Sequence, residues 1–301
     1  MMISRHVRET KKDRALSWVF LLPVVVILAV AAFIPLGYGL VLSFYKYKLN
    51  IPGMKPEFIG FGNYITMFKD ELFIHSLTNN IVFALLSVGS EVLVGVIVAM
   101  MLSDDTKLSR LMTTIFMVPM IIAPVAAGTL WRMMLDRTFG VVNFLISLLN
   151  MAPVAWLANE KVAIYTIIFV DFWQFMPYVA ILVLSSVKSI PESFLDAARV
   201  DGASSLKLFY KVVLPFITPV IIIVAMLRFI DAFKVFDTVF VMTQGGPGSA
   251  TEMLPTYIYK QGIKFFQVGY SSATAIVFII AMSVIAFAFN KLRSYQLRRL
   301  G

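Results

Sequence analysis

Six stretches of this chain, at about 18–44, 80–102, 111–134, 162–187, 214–242 and 271–290, are almost wholly apolar. A hydrocarbon core of roughly 30 Å takes about 20 residues of helix to cross, so each stretch is long enough to span a membrane. Strands of a membrane barrel would read as segments of about ten residues with alternating polarity, which these do not. In lipid, a continuous apolar run has to satisfy its backbone hydrogen bonds within a helix. The expected fold is therefore an all-α membrane protein with six transmembrane helices, read as a single domain over residues 1–301. Composition points the same way: 59% hydrophobic residues, 14% charged residues and a mean hydropathy of +0.86 exceed what a soluble domain carries. The first span follows a basic segment and could pass for a signal peptide. At roughly 27 residues, with Pro23 and Pro35 inside it and no A-x-A site after it, it is too long and wrongly ended for cleavage.

Positive charge sets the orientation. If the N-terminus is cytoplasmic, the inside segments hold Arg5, Arg8, Lys11, Lys12 and Arg14, then Lys107 and Arg110, then Lys188, Arg199, Lys207 and Lys211, then Lys291, Arg293, Arg298 and Arg299. These are most of the 26 Lys and Arg residues, so both termini and the loop at 188–213 are expected in the cytoplasm. The net charge of +9 then reads as topology and contact with anionic lipid, with no nucleic-acid partner. The chain has no cysteine, which excludes disulfides, thiolate metal sites and cysteine nucleophiles. Its two histidines, His6 and His75, are far apart, one in a basic tail, so no catalytic or metal-ligating residue is expected.

Between the fourth and fifth apolar stretches lies a polar interruption, PESFLDAARVDGASSLKLFYKVVLP, from Pro191 to Pro215. Pro191 can start a helix, Glu192 and Asp196 favour its positive N-terminal end, and Gly202 supplies a stop after about three turns. The predicted result is a short helix, a break, and a second helix entering the membrane at Pro215. Asp196, Ala197, Ala198, Asp201, Gly202, Ala203, Phe209, Val212, Leu214 and Pro215 fit the pattern D-A-A-x-x-D-G-A-x5-F-x-x-V-x-L-P. This pattern resembles the EAA loop of the permease subunits of binding-protein-dependent ABC importers, with Asp196 standing where family members usually have Glu. The resemblance implies a type I importer permease fold and a coupling helix that seats in a cytoplasmic ATPase subunit. Ala197, Ala198 and Ala203 would allow close approach to that partner.

A second block, FKVFDTVFVMTQGGPGSATEMLPTYIYKQG from Phe233 to Gly262, resembles the carbohydrate-importing branch, the relatives of maltose and glycerol-phosphate permeases. FIGFGNY, from Phe58 to Tyr64, and the region of Pro119, Pro124 and Trp131 extend the likeness over nearly the whole chain. On physical grounds, Gly245, Gly246, Pro247 and Gly248 say only that the fifth helix has ended in a turn. No strand precedes them and no Gly-Lys-Ser/Thr follows, so they form no phosphate loop, and the chain is expected to carry no ATPase of its own.

Charges inside the spans are the remaining signal. Asp171 lies in the fourth, and Arg228, Asp231, Lys234 and Asp237 recur every three residues in the fifth. Facing lipid, each would cost at least about 2.5 kcal/mol, so they are expected to face a protein interior or a wet cavity. At 1.5 Å per residue, Asp171 lies roughly 14 Å below the outer boundary and Arg228 roughly 20 Å above the inner one, nearly one level in a core of about 30 Å. Asp171, Gln174, Phe175 and Tyr178 follow at i, i+3, i+4 and i+7 and share a helical face. Laid on the maltose permease, the resemblance places sugar-lining positions on these four and on Arg228, Asp231, Ala232 and Val235. The side chains differ from the maltose set, so specificity does not transfer. Asp171 and Arg228 could equally hold two helices together.

The resemblance implies a plasma-membrane (inner-membrane), multi-pass subunit of a bacterial or archaeal sugar or oligosaccharide importer. Its expected partners are a second homologous permease, two ATPase subunits that bind ATP and Mg, an extracytoplasmic binding protein, the carbohydrate and the lipid bilayer; no cofactor is expected in this chain. The alternative is an ion-coupled secondary transporter with Asp171, Asp231 and Asp237 as ion carriers, which would call for inverted repeats that six spans do not display.

Overall fold

The computed structural model describes residues 11–300, with side chains described from residue 21 to residue 295. Arg5, His6 and Arg8, and the side chains of Lys11, Lys12, Arg14, Arg298 and Arg299, lie outside the described residues. In chain order the elements are α1 (Lys11–Leu42), β1 (Tyr45–Lys46), β2 (Glu57–Phe58), α2 (Gly62–Met67), α3 (Glu71–Met101), α4 (Lys107–Ile121), α5 (Pro124–Met134), α6 (Val141–Leu148), α7 (Ala163–Lys188), α8 (Glu192–Val200), α9 (Ser205–Leu208), a π turn over Phe209–Val213, α10 (Leu214–Phe233), α11 (Asp237–Met242), α12 (Leu254–Tyr259), a second π turn over Lys260–Lys264, and α13 (Val268–Leu300). Among the described residues, five helices are long and apolar enough to cross a membrane, and six if the bent pair α4 and α5 counts as one span.

The chain clusters into two compact units, residues 1–65 with 261–276 and residues 66–260 with 277–301. In the first, β1 and β2 pair antiparallel, with Tyr45 opposite Phe58. The FIGFGNY segment turns at Gly60 (φ +55°), and Asn63 Nδ2 donates to the carbonyls of Ser43 (2.8 Å) and Tyr45 (2.9 Å). In the second unit, α3 lies along α7, and α10 packs on both. Ala99, Val179, Val183, Ile190, Val213, Ile217 and Val224 form the buried core where these three meet.

Gly95 sets the spacing of α3 and α7. A Cβ built there would sit 2.9 Å from Val179 Cγ1 and 3.2 Å from the Ala180 backbone nitrogen. Small residues let membrane helices approach this closely. Gly95→Leu is expected to force the helices apart and destabilise the fold by about 1–3 kcal/mol, the usual range for overpacking. A Cβ built at exposed Gly89 on the same helix meets nothing within 4 Å, so Gly89→Leu serves as the control. Thermal melting of the two variants in detergent checks this; equal melting temperatures would count against the assignment.

Three sequence expectations need correction. The third span is not one helix: α4 and α5 meet at 95° across Ile122 and Ala123. Pro124 occupies the first position of α5 and keeps Ala123 in extended backbone (φ −59°, ψ 138°), which a helix cannot continue through. The fifth span is interrupted between Phe233 and Asp237, so Arg228, Asp231, Lys234 and Asp237, which recur every three residues, do not lie on one continuous helix. Buried Asn80 of α3 holds that break: its Nδ2 donates to Phe233 O (2.8 Å) and its Oδ1 accepts from Leu254 N (3.1 Å). Finally, the fifth span begins at Ser205, ahead of Pro215, and the second at Glu71, where Asp70 Oδ1 caps the first turn by accepting from Leu72 N (2.9 Å).

Candidate functional site

Two places collect the residues singled out in the sequence. The first is α8 and the turn after it. Pro191 is the residue before the helix rather than its first, and α8 runs from Glu192 to Val200. Gly202 adopts φ +73° and its N–H donates to Arg199 O (3.0 Å), while Ala203 N–H donates to Ala198 O (3.0 Å). These two bonds satisfy the last carbonyls of the helix around a left-handed residue. Arg199 pairs with Asp196 at 3.0 Å on the surface. Asp196, Ala197, Asp201 and Gly202 are exposed and Ala198 and Ala203 half-buried, so the six share one short helix and its stop. Phe209 and Pro215 belong to the following π turn and α10. Phe194 and Val200 of α8 stand open, Val200 at 88% exposure, and a recess of about 490 Å³ beside Phe194 is lined also by Ile190, Lys211, Val212, Pro215 and Phe216. This is a short amphipathic helix with an uncovered apolar side.

The second place is buried. Arg228 of α10 grips Glu91 of α3 through two parallel bonds, Nε to Oε2 (2.8 Å) and Nη2 to Oε1 (2.9 Å), and reaches Asp171 Oδ2 of α7 through Nη2 (3.0 Å). Asp171 and Arg228 thus meet at one level, as the chain directions require. The Arg228 guanidinium carbon also lies 4.0 Å over the ring of Phe175, a cation–π contact. None of the three charged side chains is more than 4% exposed. Two carboxyl groups on one guanidinium tie three helices together.

A cavity of about 230 Å³ opens beside this group. Of the eight residues placed by sequence, Asp171, Phe175, Arg228, Asp231 and Val235 line it, and Lys234 from the break after α10 and Asp237 and Thr238 from the start of α11 join them. Gln174, Tyr178 and Ala232 do not line it. Gln174 is buried with its Nε2 donating to Ile122 O (2.7 Å), the carbonyl freed where α4 ends. Tyr178 packs against the α3–α7–α10 core, and Ala232 is 1% exposed. One helical face carries all four α7 residues, but neighbouring helices cover part of that face. Lys234 and Asp231 pair at 2.9 Å on the open side of the cavity. Glu91 escaped the sequence reading, although a lone carboxylate in an apolar span carries the same signal as Asp171.

The G-G-P turn beyond α11 satisfies its own polar groups. Thr251 Oγ1 donates to Gly246 O (2.6 Å) and lies 2.7 Å from Thr243 Oγ1, while Gly245 and Gly248 take φ +87° and +52°. Glu252 pairs with Lys260, and Asn79 Nδ2 donates to Glu252 O (3.2 Å).

Residues 91–300 match the model of the family described as binding-protein-dependent transport system inner membrane component. The chain belongs to this family. A probable ABC transporter permease of Sinorhizobium fredii is 32% identical to this permease, over 88% of this chain and 86% of the relative. The trehalose/maltose transport system permease protein of Thermococcus litoralis is 29% identical, over 96% of each chain. Among solved structures, that of a bacterial alginate ABC transporter in complex with an alginate pentasaccharide-bound periplasmic protein contains a chain with a TM-score of 0.81 at 24% identity, covering 96% of each. The permease therefore has the fold of a type I ABC importer subunit and is a multi-pass membrane component. The family gives the ion-coupled alternative no support.

Proposed function

We propose that this permease is one transmembrane half of an ATP-driven carbohydrate importer. The observation that carries the reading is α8, an exposed helix with a glycine-built stop and an uncovered apolar side, in a chain whose relatives include a trehalose/maltose permease. Two ATPase subunits, which bind ATP and Mg, would seat α8 of this chain and its counterpart. A second permease would complete the pathway, and a substrate-loaded binding protein would dock on the opposite side, with both termini and residues 188–213 in the cytoplasm. The residues offered to the cargo are Asp171, Phe175, Arg228, Asp231 and Val235, which combine carboxylates and a guanidinium for hydroxyl groups with an aromatic face for C–H surface. Nucleotide binding and hydrolysis would then shift the population between outward- and inward-open states through α8.

The test is uptake by the reconstituted complex in proteoliposomes, with binding proteins loaded with neutral oligosaccharides. Uptake is expected to require enclosed ATP and to survive collapse of ion gradients. Uptake that runs without ATP and stops with an ionophore would overturn the proposal. In cells, a reporter inserted near Gly248 is expected to be active only outside the cytoplasm.

A further inference from the structure

A third recess, apart from the charged cavity and the α8 surface, lies where α5 ends and α7 begins. It holds about 420 Å³ and is walled by Trp131, Leu135, Val142, Trp156, Tyr165 and Phe169. Two of its polar groups are engaged, Trp156 Nε1 donating to Asn143 Oδ1 (3.1 Å) and Thr166 Oγ1 to Trp156 O (3.1 Å), and its walls are mainly hydrocarbon and aromatic surface. Trp131 is fixed edge-on against Phe169 (5.3 Å) and Trp173 (5.4 Å).

Leu135 and Trp156 also line an adjoining recess of about 240 Å³ that is polar and contains Arg132, Asp136 and Arg137. Arg132 gives one N–H to Val241 O (2.9 Å), which leaves the rest of its guanidinium for a ligand. Asp136 Oδ1 accepts from the backbone N–H groups of Thr138 (2.9 Å) and Phe139 (2.8 Å), which hold its carboxyl below the usual carboxylate range. Among the described residues it makes no ion pair with either arginine, so the polar recess keeps an excess positive charge.

The position narrows the occupant. Both recesses lie at the ends of membrane helices, where aromatic and cationic side chains meet headgroups. The neighbouring stretch exposes Phe139, Phe144, Leu145 and Leu148 around α6, a segment that calls for hydrocarbon cover. An apolar recess that shares Leu135 and Trp156 with a cationic one matches one amphipathic anion. We propose that this double recess binds a membrane phospholipid, its acyl chain against Trp131, Trp156, Tyr165 and Phe169 and its phosphate against Arg132 and Arg137.

The assembled transporter, delipidated in detergent and titrated with dioleoyl phosphatidylglycerol under native mass spectrometry, tests this. Wild-type complex is expected to retain the lipid on this chain. Arg132→Gln with Arg137→Gln should weaken retention at least about tenfold, the scale of losing a charge-assisted hydrogen bond to phosphate. Dioleoylglycerol, which lacks the phosphate, and glycerol phosphate, which lacks the chains, should compete poorly. Arg137→Gln alone alters an exposed side chain, and Val162 also lines the apolar recess, which Val162→Trp fills, so each substitution should lower retention in a complex that still assembles. Equal retention by wild type, Arg137→Gln and Val162→Trp would overturn the proposal. So would a photo-cross-linker at Tyr165 that captures the second permease and no lipid.

Discussion

Arg228→Gln is expected to be the most damaging single substitution in this permease, costing about 3–5 kcal/mol because it strands two buried carboxylates without a counter-charge. Glu91→Gln leaves Arg228 balanced by Asp171, and Asp171→Asn leaves it balanced by Glu91, so each should cost clearly less. The pair Asp171→Asn and Arg228→Gln leaves Glu91 alone in the interior and should stay unstable. The triple variant with Glu91→Gln as well carries no charge at the site and should recover much of the lost stability. Melting of fluorescent fusions in detergent orders the series, and an Arg228→Gln protein that melts with the wild type would refute the ordering. Transport by the recovered triple variant then separates two roles. Uptake restored with stability means the group only ties α3, α7 and α10 together. Stability restored without uptake means its charges also meet the cargo.

The apolar stretches were legible because a membrane helix is written locally, in about 20 consecutive residues. What the sequence concealed are the places where one element acts on another. Hydropathy runs unbroken through Ile122 and Ala123, and Pro119 and Pro124 both read as possible kinks. The Ile122 carbonyl that the 95° bend releases accepts from Gln174, 52 residues away. The end of α10 at Phe233 likewise depends on Asn80, 153 residues away in α3. That Asp171 and Arg228 lie at nearly one level could be read from helix rise and chain direction. Glu91 could be read as a charge in need of a partner, but no local pattern names Arg228 as that partner. On α7 the period of a helix put Asp171, Gln174, Phe175 and Tyr178 on one face. Only tertiary packing decides that the cavity reaches Asp171 and Phe175 and not Gln174 or Tyr178.

Gly202→Val is expected to abolish ATP-coupled uptake while the permease still inserts and assembles with its partner permease. Gly202 holds φ +73° with nothing within 4 Å of a built Cβ, so the position tests backbone conformation alone, free of any steric neighbour. A β-branched residue there is strained by upwards of about 1–2 kcal/mol. The cheapest relief for the chain is to let Gly202 leave the left-handed region, which breaks the bonds from Gly202 N to Arg199 O and from Ala203 N to Ala198 O and lets the end of α8 unwind. Because α8 is exposed and none of its residues is buried, the membrane-spanning core should hardly register the change. Asparagine tolerates the left-handed region better than other non-glycine residues, so Gly202→Asn should keep α8 intact and retain most of the activity. The contrast between valine and asparagine at one exposed site isolates the geometry of the helix end from its chemistry. Equal, substrate-stimulated ATPase and uptake in both variants would show that α8 does not need its glycine stop, and with it the proposed role of this helix in coupling would fall.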